Sequence, residues 1–434
     1  MMQTSLHGIA QAAQRCKRRR FRSLYSFFNR VMLEQAYREL NKDAAAGVDS
    51  VTYEEYGKNL QRNLIDLEER LKQKRYHARL VRRVFIPKSN GGQRPLGIPA
   101  LEDKIVQNLA RRILEALFEP LFLDCSFAYR PHLSARQAVE TLQEEIRRKY
   151  VWVVEADIRK FFDSIDHELL VKMLELRVDD RSFIRLIRKW LNAGVLNPDG
   201  SVDHPQNGTP QGSIVSPVLA NIYLHYALDK WFKSDVERKS DGNAFLVRYA
   251  DDFVAAFRYH RDAASFHRRL KTRLAKFSLT LSEEKTRKLM FNRFHKKESE
   301  TFRFLGFEFR WITTRRGIDT VRITTDPQRM RRIAANFKEW CRIHRDKRMA
   351  WIMGMVKTKL NGLKNYFGVV GNSKRVRQIY DIFRYTLYRW LNRRSERKSY
   401  NWQTFMQMWD YYNVSNLSRL NNEGLQLSFL QYLR

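Results

Sequence analysis

The sequence predicts an α+β protein, with helices toward both ends of the chain and short strands between them. Three observations carry this. Leu60, Leu64, Leu67 and Leu71 fall at helical spacing within a basic stretch over residues 1–80. Short β-rich runs bounded by Gly, Pro and Asp follow between residues 81 and 257. From about residue 326 to 397 the pattern returns to helical and strongly basic. Hydrophobic residues make up 43% of the 434 and aromatics 13%, which excludes a disordered chain and allows several cores.

In order along the chain, Val84, Phe85, Ile86, Pro87 and Lys88 lead into a turn at Gly91 and Gly92. Arg94, Pro95, Leu96 and Gly97 lead out of it, which reads as two strands joined by a glycine turn. A helix follows over about 102–117. Another spans about 134–150, with Ser134 and Gln137 at capping-box spacing. Residues 151–156 form a β-rich run that ends at Asp157. Ser216 as N-cap and Pro217 at the first helical position open a helix to about residue 232. Residues 245–257 are apolar and β-rich on both sides of Tyr249-Ala250-Asp251-Asp252, as in a hairpin with the acids at its tip. Residues 329–348 carry eight Lys or Arg against two acids. The chain from 399 onward reads as helical or irregular.

Charge narrows the function. There are 81 Lys plus Arg against 47 Asp plus Glu, a formal charge of +34. A folded protein this basic repels itself unless a polyanion neutralises it, and Lys and Arg gain by releasing counterions from nucleic-acid phosphates. A membrane surface is the competing partner. However, no apolar run approaches the roughly 18 residues of a membrane span, and the start is not the Met-Gly of an acylation signal. The basic residues 17–20 resemble the start of a signal peptide, but Arg22, Asn29 and Arg30 interrupt the apolar segment one would need. Cys16, Cys125 and Cys341 are too far apart for a disulfide framework or a zinc site. A cytoplasmic protein without a membrane partner is expected.

The carboxylates define the chemistry. Phosphoryl transfer onto a growing strand uses two Mg²⁺ ions about 4 Å apart, held by a few carboxylates plus waters and substrate phosphates. Asp157 ends one apolar strand, and Asp251 and Asp252 lie at the turn between two others. Pairing those strands would gather all three acids at one sheet edge. Taken alone, Ala250-Asp251-Asp252 also reads as a solvated turn and Asp157 as a helix N-cap. The flanking residues Phe245, Leu246, Val247 and Phe253, Val254, Ala255, Ala256 favour the metal site, because charge against so much buried surface needs a cation. Asp251 and Asp252 are adjacent, so on a regular strand they face opposite sides. All three acids are expected as catalytic metal ligands, and Asp252 has the alternative of holding the hairpin or reaching a metal only indirectly.

From about residue 25 to 400 the chain resembles the reverse transcriptases encoded by group II introns, block by block and in the family's order. Lys88 and Arg94-Pro95-Leu96-Gly97-Ile98-Pro99 resemble the fingers strands, where the resemblance implies that Lys88 and Arg94 contact the incoming dNTP. Ser126-Phe127-Ala128-Tyr129-Arg130-Pro131 resembles the next block. The run from Ala156 through Asp157 to Phe161, Phe162 and Asp163 resembles motif A, with Asp157 a metal ligand and Phe162 the side chain that excludes a ribose 2′-hydroxyl. Asn207-Gly208-Thr209-Pro210-Gln211-Gly212 resembles motif B, with Gln211 beside nucleotide and template. Tyr249-Ala250-Asp251-Asp252 is similar to motif C. Leu281-Ser282-Glu283-Glu284-Lys285-Thr286 resembles motif D, whose Lys285 would protonate the leaving pyrophosphate. Phe304, Leu305, Gly306 and Phe307 resemble the primer grip. The stretches around Tyr366 and Trp390 resemble the helical thumb, or maturase domain.

The resemblance implies a right-hand polymerase: a basic helical extension over 1–80, fingers and palm with an antiparallel palm sheet over 81–310, a helical thumb over 311–398 and a short segment over 399–434 that would be either a remnant DNA-binding region or the packing end of the thumb. It implies an RNA-dependent DNA polymerase using two Mg²⁺ ions, with Mn²⁺ able to substitute, on an RNA template, a DNA primer or target and dNTPs, which also binds intron RNA to assist splicing and mobility. Oligomeric state stays open. Three other readings compete: a free-standing enzyme of phage defence or repair, an RNA-splicing chaperone with a vestigial site, and an RNA-copying RNA polymerase, which Phe162 opposes. No Cys follows Cys341 and no His follows His344, so the zinc-containing endonuclease of many family members is not expected in its usual form.

Overall fold

The computed structural model describes residues 5–87, 92–394 and 399–414. The amphipathic segments of the first eighty residues form helices Leu6–Arg15, Arg30–Arg38, Tyr53–Lys58 and Leu60–Lys72. Leu64, Leu67 and Leu71 are completely buried, as their spacing requires. Helices Leu6–Arg15 and Arg30–Arg38 pack on helix Leu101–Phe118. That helix buries Ile105, Val106, Leu109, Ala110, Ile113 and Leu114 without exposure, which is why its apolar residues cover most of its circumference. Arg70 reaches across to Glu102 through two bonds of 2.9 Å, and Arg177, 1% exposed, donates to the carbonyl of Cys16 at 2.9 Å.

Eleven strands are present among the described residues: β1 Val81–Pro87, β2 Gln93–Ile98, β3 Trp152–Asp157, β4 Val195–Leu196, β5 Val202–Asp203, β6 Ala244–Tyr249, β7 Asp252–Phe257, β8 Arg287–Met290, β9 Phe302–Phe304, β10 Phe307–Thr313 and β11 Asp319–Thr325. They form three sheets, ordered β2-β1-β4-β5, β6-β7-β3-β8 and β11-β10-β9. The expected glycine-turn pair is β1 and β2, antiparallel with Ile86 opposite Arg94. The β6–β7 hairpin and β3 are neighbours, which sets Asp157 on the strand beside the two adjacent acids. The fold is α+β.

The chain divides into two compact units. One comprises Met1–Leu133, Ala156–Phe253 and Ala264–Arg287, and the other Ser134–Glu155, Val254–Ala263 and Lys288–Arg434. In the second, the basic C-terminal region resolves into helices Pro327–His344, Met349–Phe367 and Ser373–Leu391. Helix Trp402–Tyr411 follows and buries Phe405 and Trp409. The Trp409 indole donates to the Tyr380 hydroxyl at 2.5 Å, and Tyr380 in turn donates to the Val414 carbonyl at 3.1 Å. No helix among the described residues is long and apolar enough to cross a membrane.

Two local expectations need correction. Ser216 is not an N-cap: helix Ser216–Leu224 is preceded by Val215, and no side chain caps it. The buried Ser216 hydroxyl is instead 2.5 Å from that of Thr209 and donates to the Pro210 carbonyl, so it serves the preceding loop. Nor does that helix run unbroken to residue 232. Two π-helical turns, His225–Asp229 and Phe232–Val236, interrupt it before it closes at Lys239.

Candidate active site

Three short segments of the first unit meet at the acids. After β3, the Ile158 amide faces the Asp251 carbonyl at 3.4 Å and the Arg159 amide donates to Thr280 at 2.8 Å. The Ser282 amide donates to the Asp157 carbonyl at 2.8 Å. The sequence segments around residues 157, 251 and 282 are thereby side by side. Asp251 lies in the hairpin turn rather than on a strand, following Ala250 at φ +59°, and Asp252 opens β7. The left-handed residue turns the chain tightly between two strands whose interiors, Val247 and Phe253, are fully buried.

Lys285 closes the third side. Its ammonium lies 2.5 Å from a carboxylate oxygen of Asp157. This bond, more than the nearby charges of Asp251 and Asp252, raises its pKa, while partial burial opposes the rise. The Asp251 carboxyl is pushed above the ordinary carboxylate range, first by burial and then by Asp157, with Lys285 and Arg94 acting in the other direction. Two acids that repel each other in a sheltered corner make an oxygen-only donor set, which suits a hard divalent cation. Among the described residues, no three acidic, His or Cys side chains converge as a preassembled metal cage. Lys285 occupies the position beside Asp157 instead.

The neighbouring loops fit this corner through close backbone approach. In the turn Phe161–Ser164, Phe161 is buried and Phe162 half-buried. The Phe162 carbonyl accepts from the Thr209 amide at 2.7 Å, and the Gly208 amide donates to Ile165 at 2.7 Å. Gly208 has φ +89°, and a Cβ there would meet the Asp163 backbone at 2.8 Å. We therefore expect Gly208→Ala to cost about 2 kcal/mol, read as a lower midpoint in urea. Gln211 is half-buried, and its carbonyl accepts from the Gly97 amide at 2.6 Å, joining its loop to β2. Arg94 on β2 is exposed yet within electrostatic reach of Asp251. Lys88 lies outside the described residues.

Phe304, Leu305 and Gly306 belong to the second unit. They end β9 and turn into β10 with φ +51° at Leu305 and +78° at Gly306, the conformation of a tight hairpin turn. Phe304 is buried, and the Leu305 carbonyl accepts from the Tyr366 hydroxyl at 2.9 Å.

Sequence reasoning quoted Tyr129 within a block but assigned it no role. Its ring meets that of Phe162 edge-on, with centroids 6.5 Å apart, and it feels the charge of Asp251. It stands at φ +56°, unusual for an aromatic residue, between Ala128, whose carbonyl accepts from Asn221 at 2.7 Å, and the well-anchored Arg130. Only contacts distant in sequence expose this arrangement.

The first unit thus brings together an acid at the end of β3, an acid in the β6–β7 turn and a lysine bonded to the first of them. Residues 86–309 match the family model described as reverse transcriptase (RNA-dependent DNA polymerase), and the chain belongs to that family. It is similar to the group II intron-encoded protein LtrA of Lactococcus lactis subsp. cremoris, with 38% identity over 45% of this chain and 32% of that protein. It is equally similar to an uncharacterized 91 kDa protein in a cob intron of Schizosaccharomyces pombe, with 38% identity over 49% of this chain and 26% of that protein. A putative COX1/OXI3 intron 1 protein of Saccharomyces cerevisiae is 28% identical over 70% of this chain and 45% of that protein. The match thus spans less than half the length of these curated relatives. They bear out the resemblance to group II intron-encoded reverse transcriptases.

Proposed function

We propose that the chain is an RNA-dependent DNA polymerase of the group II intron type that also binds intron RNA and assists its splicing. The observation that carries this is the meeting of Asp157, Asp251 and Lys285 at one edge, beside Phe162. Asp157 and Asp251 would hold the divalent ions, with Asp252 adding charge from the start of β7. When bound, two Mg²⁺ or Mn²⁺ ions supply activation of the primer 3′-hydroxyl and neutralisation of the leaving pyrophosphate. Lys285, kept protonated by its acidic neighbours, is in the state needed to give a proton to that pyrophosphate. Arg94 and Lys88 bind the triphosphate of the dNTP, Gln211 borders the nucleotide, and Phe162 fills the space a 2′-hydroxyl would need. Residues 81–310 would be fingers and palm, 311–398 the thumb with the primer grip at Phe304, Leu305 and Gly306 leading into it, and 1–80 a basic extension.

The test is extension of a DNA primer on an RNA template with Mg²⁺ and dNTPs; no product from the wild-type protein would sink the polymerase assignment. For RNA binding, the exposed Arg331 and Lys338 stand two helical turns apart on helix Pro327–His344. We expect Arg331→Glu with Lys338→Glu to weaken intron RNA binding and to lower the slope of log affinity against log salt by about one to two, measured by filter binding across salt concentrations.

A further inference from the structure

Arg248, directly before the Tyr249-Ala250-Asp251-Asp252 turn, is a completely buried charge in the first unit. Its side chain and that of Asp229 are both completely inaccessible, and they form a two-armed ion pair at 2.7 and 2.6 Å. The remaining donors are also used. One arm reaches the Asn221 side-chain oxygen at 3.2 Å and the Ala250 carbonyl at 3.1 Å, and the other reaches the Ser126 hydroxyl at 2.7 Å. The Arg248 backbone is held as well: its amide donates to Cys125 at 2.7 Å and its carbonyl accepts from Phe127 at 3.0 Å. One guanidinium therefore joins the 125–128 segment, the helix that follows Ser216 and the hairpin turn.

The interrupted helix explains how two of its residues converge on one guanidinium. In a continuous α-helix, residues eight apart stand about 80° apart around the axis. The π-helical turn His225–Asp229 absorbs one extra residue, which brings Asp229 back to the face of Asn221. A turn of this kind is a poorer helix, and a fully buried ion pair is weak support for stability compared with apolar packing. The bond to the Ala250 carbonyl gives the arrangement a different use, because Ala250 is the left-handed residue that sets the direction of Asp251.

We propose that Arg248, fixed by Asp229 across the π-helical turn, is a positioning residue that holds the Ala250 turn so that Asp251 keeps its catalytic geometry. This rests on the assignment of Asp251 as a catalytic acid. Neither Arg248 nor Asp229 touches the reacting atoms.

The test compares the wild-type protein with Arg248→Lys, which keeps a buried positive charge for Asp229 but loses the planar fork, and with the double variant Arg248→Met with Asp229→Leu, which replaces the pair by apolar side chains. Thermal melting, primer extension kinetics and amide hydrogen exchange at residues 249–252 are measured on each. We expect at least one variant to melt close to wild type. In that folded variant kcat falls about tenfold to a hundredfold while the dNTP KM stays within about twofold, and the turn amides exchange faster. A folded variant with wild-type kcat and wild-type exchange overturns the proposal, as does activity lost only in proportion to folded protein. If both variants fail to fold, the pair is a stability element and the proposal falls. The exchange measurement does not depend on polymerisation. Faster exchange with an inactive wild-type protein would therefore locate the failure in the polymerase assignment rather than in the clamp.

Discussion

Asp251→Ala yields a folded protein that no longer extends a primer, with kcat reduced at least about a thousandfold. The two halves of this expectation have separate causes. Burial and the nearby Asp157 both disfavour the ionised Asp251 carboxyl, so an uncharged methyl group relieves repulsion and the melting temperature stays level or rises. In the proposed mechanism the same carboxylate shares a divalent ion with Asp157, so the chemistry is expected to be lost. Asp252→Ala should cost less, about tenfold to a hundredfold, because Asp252 opens β7 one residue beyond the turn. Single-turnover extension on an RNA template, with melting curves on the same preparations, checks both. Equal product from Asp251→Ala and wild type would refute the metal-site assignment.

Phe162→Ala should raise ribonucleotide use relative to deoxynucleotide use about tenfold to a hundredfold, with little change in stability. Phe161 and Phe162 are adjacent aromatics with rings 5.4 Å apart, but their surroundings differ. Phe161 is 1% exposed within the core, and Phe161→Ala should cost about 3–5 kcal/mol of stability. Phe162 is half-buried, with Tyr129 edge-on to its ring, so truncation there opens space at the rim of the site. The ratio of kcat/KM for dNTP and rNTP, measured for both variants, separates the effects. A Phe162→Ala enzyme with unchanged selectivity would show that this ring is not the gate.

Local chemistry explains why much of the architecture was readable before any tertiary contact. Leu64, Leu67 and Leu71 announce their helix because apolar spacing in a helix is periodic. The hairpin around Asp251 announces itself because apolar residues press up to the acids from both sides. The helix after Pro217 was misread at both ends. A serine before a proline carries the signature of a cap, but the Ser216 hydroxyl finds Thr209 and Pro210 instead. The π-helical turns have no propensity signal of their own; the first, His225–Asp229, brings Asp229 to the face of Asn221. Residue type alone leaves Phe161 and Phe162 equivalent; position favours Phe162 toward the nucleotide, and Phe161 is the one that is buried.

The sequence by itself determined the order of the blocks, the net charge of +34 and the candidacy of Asp157, Asp251, Asp252 and Lys285, because these follow from residue type and spacing along one segment. The tertiary structure alone decided that Lys285 bonds Asp157, that Tyr129 faces Phe162, and that Arg248 is buried against Asp229 under the acidic turn. Each of these joins residues far apart in sequence. Their geometry is set by which surfaces must be excluded from water and which buried charges must find partners, and that balance exists only once the segments have packed.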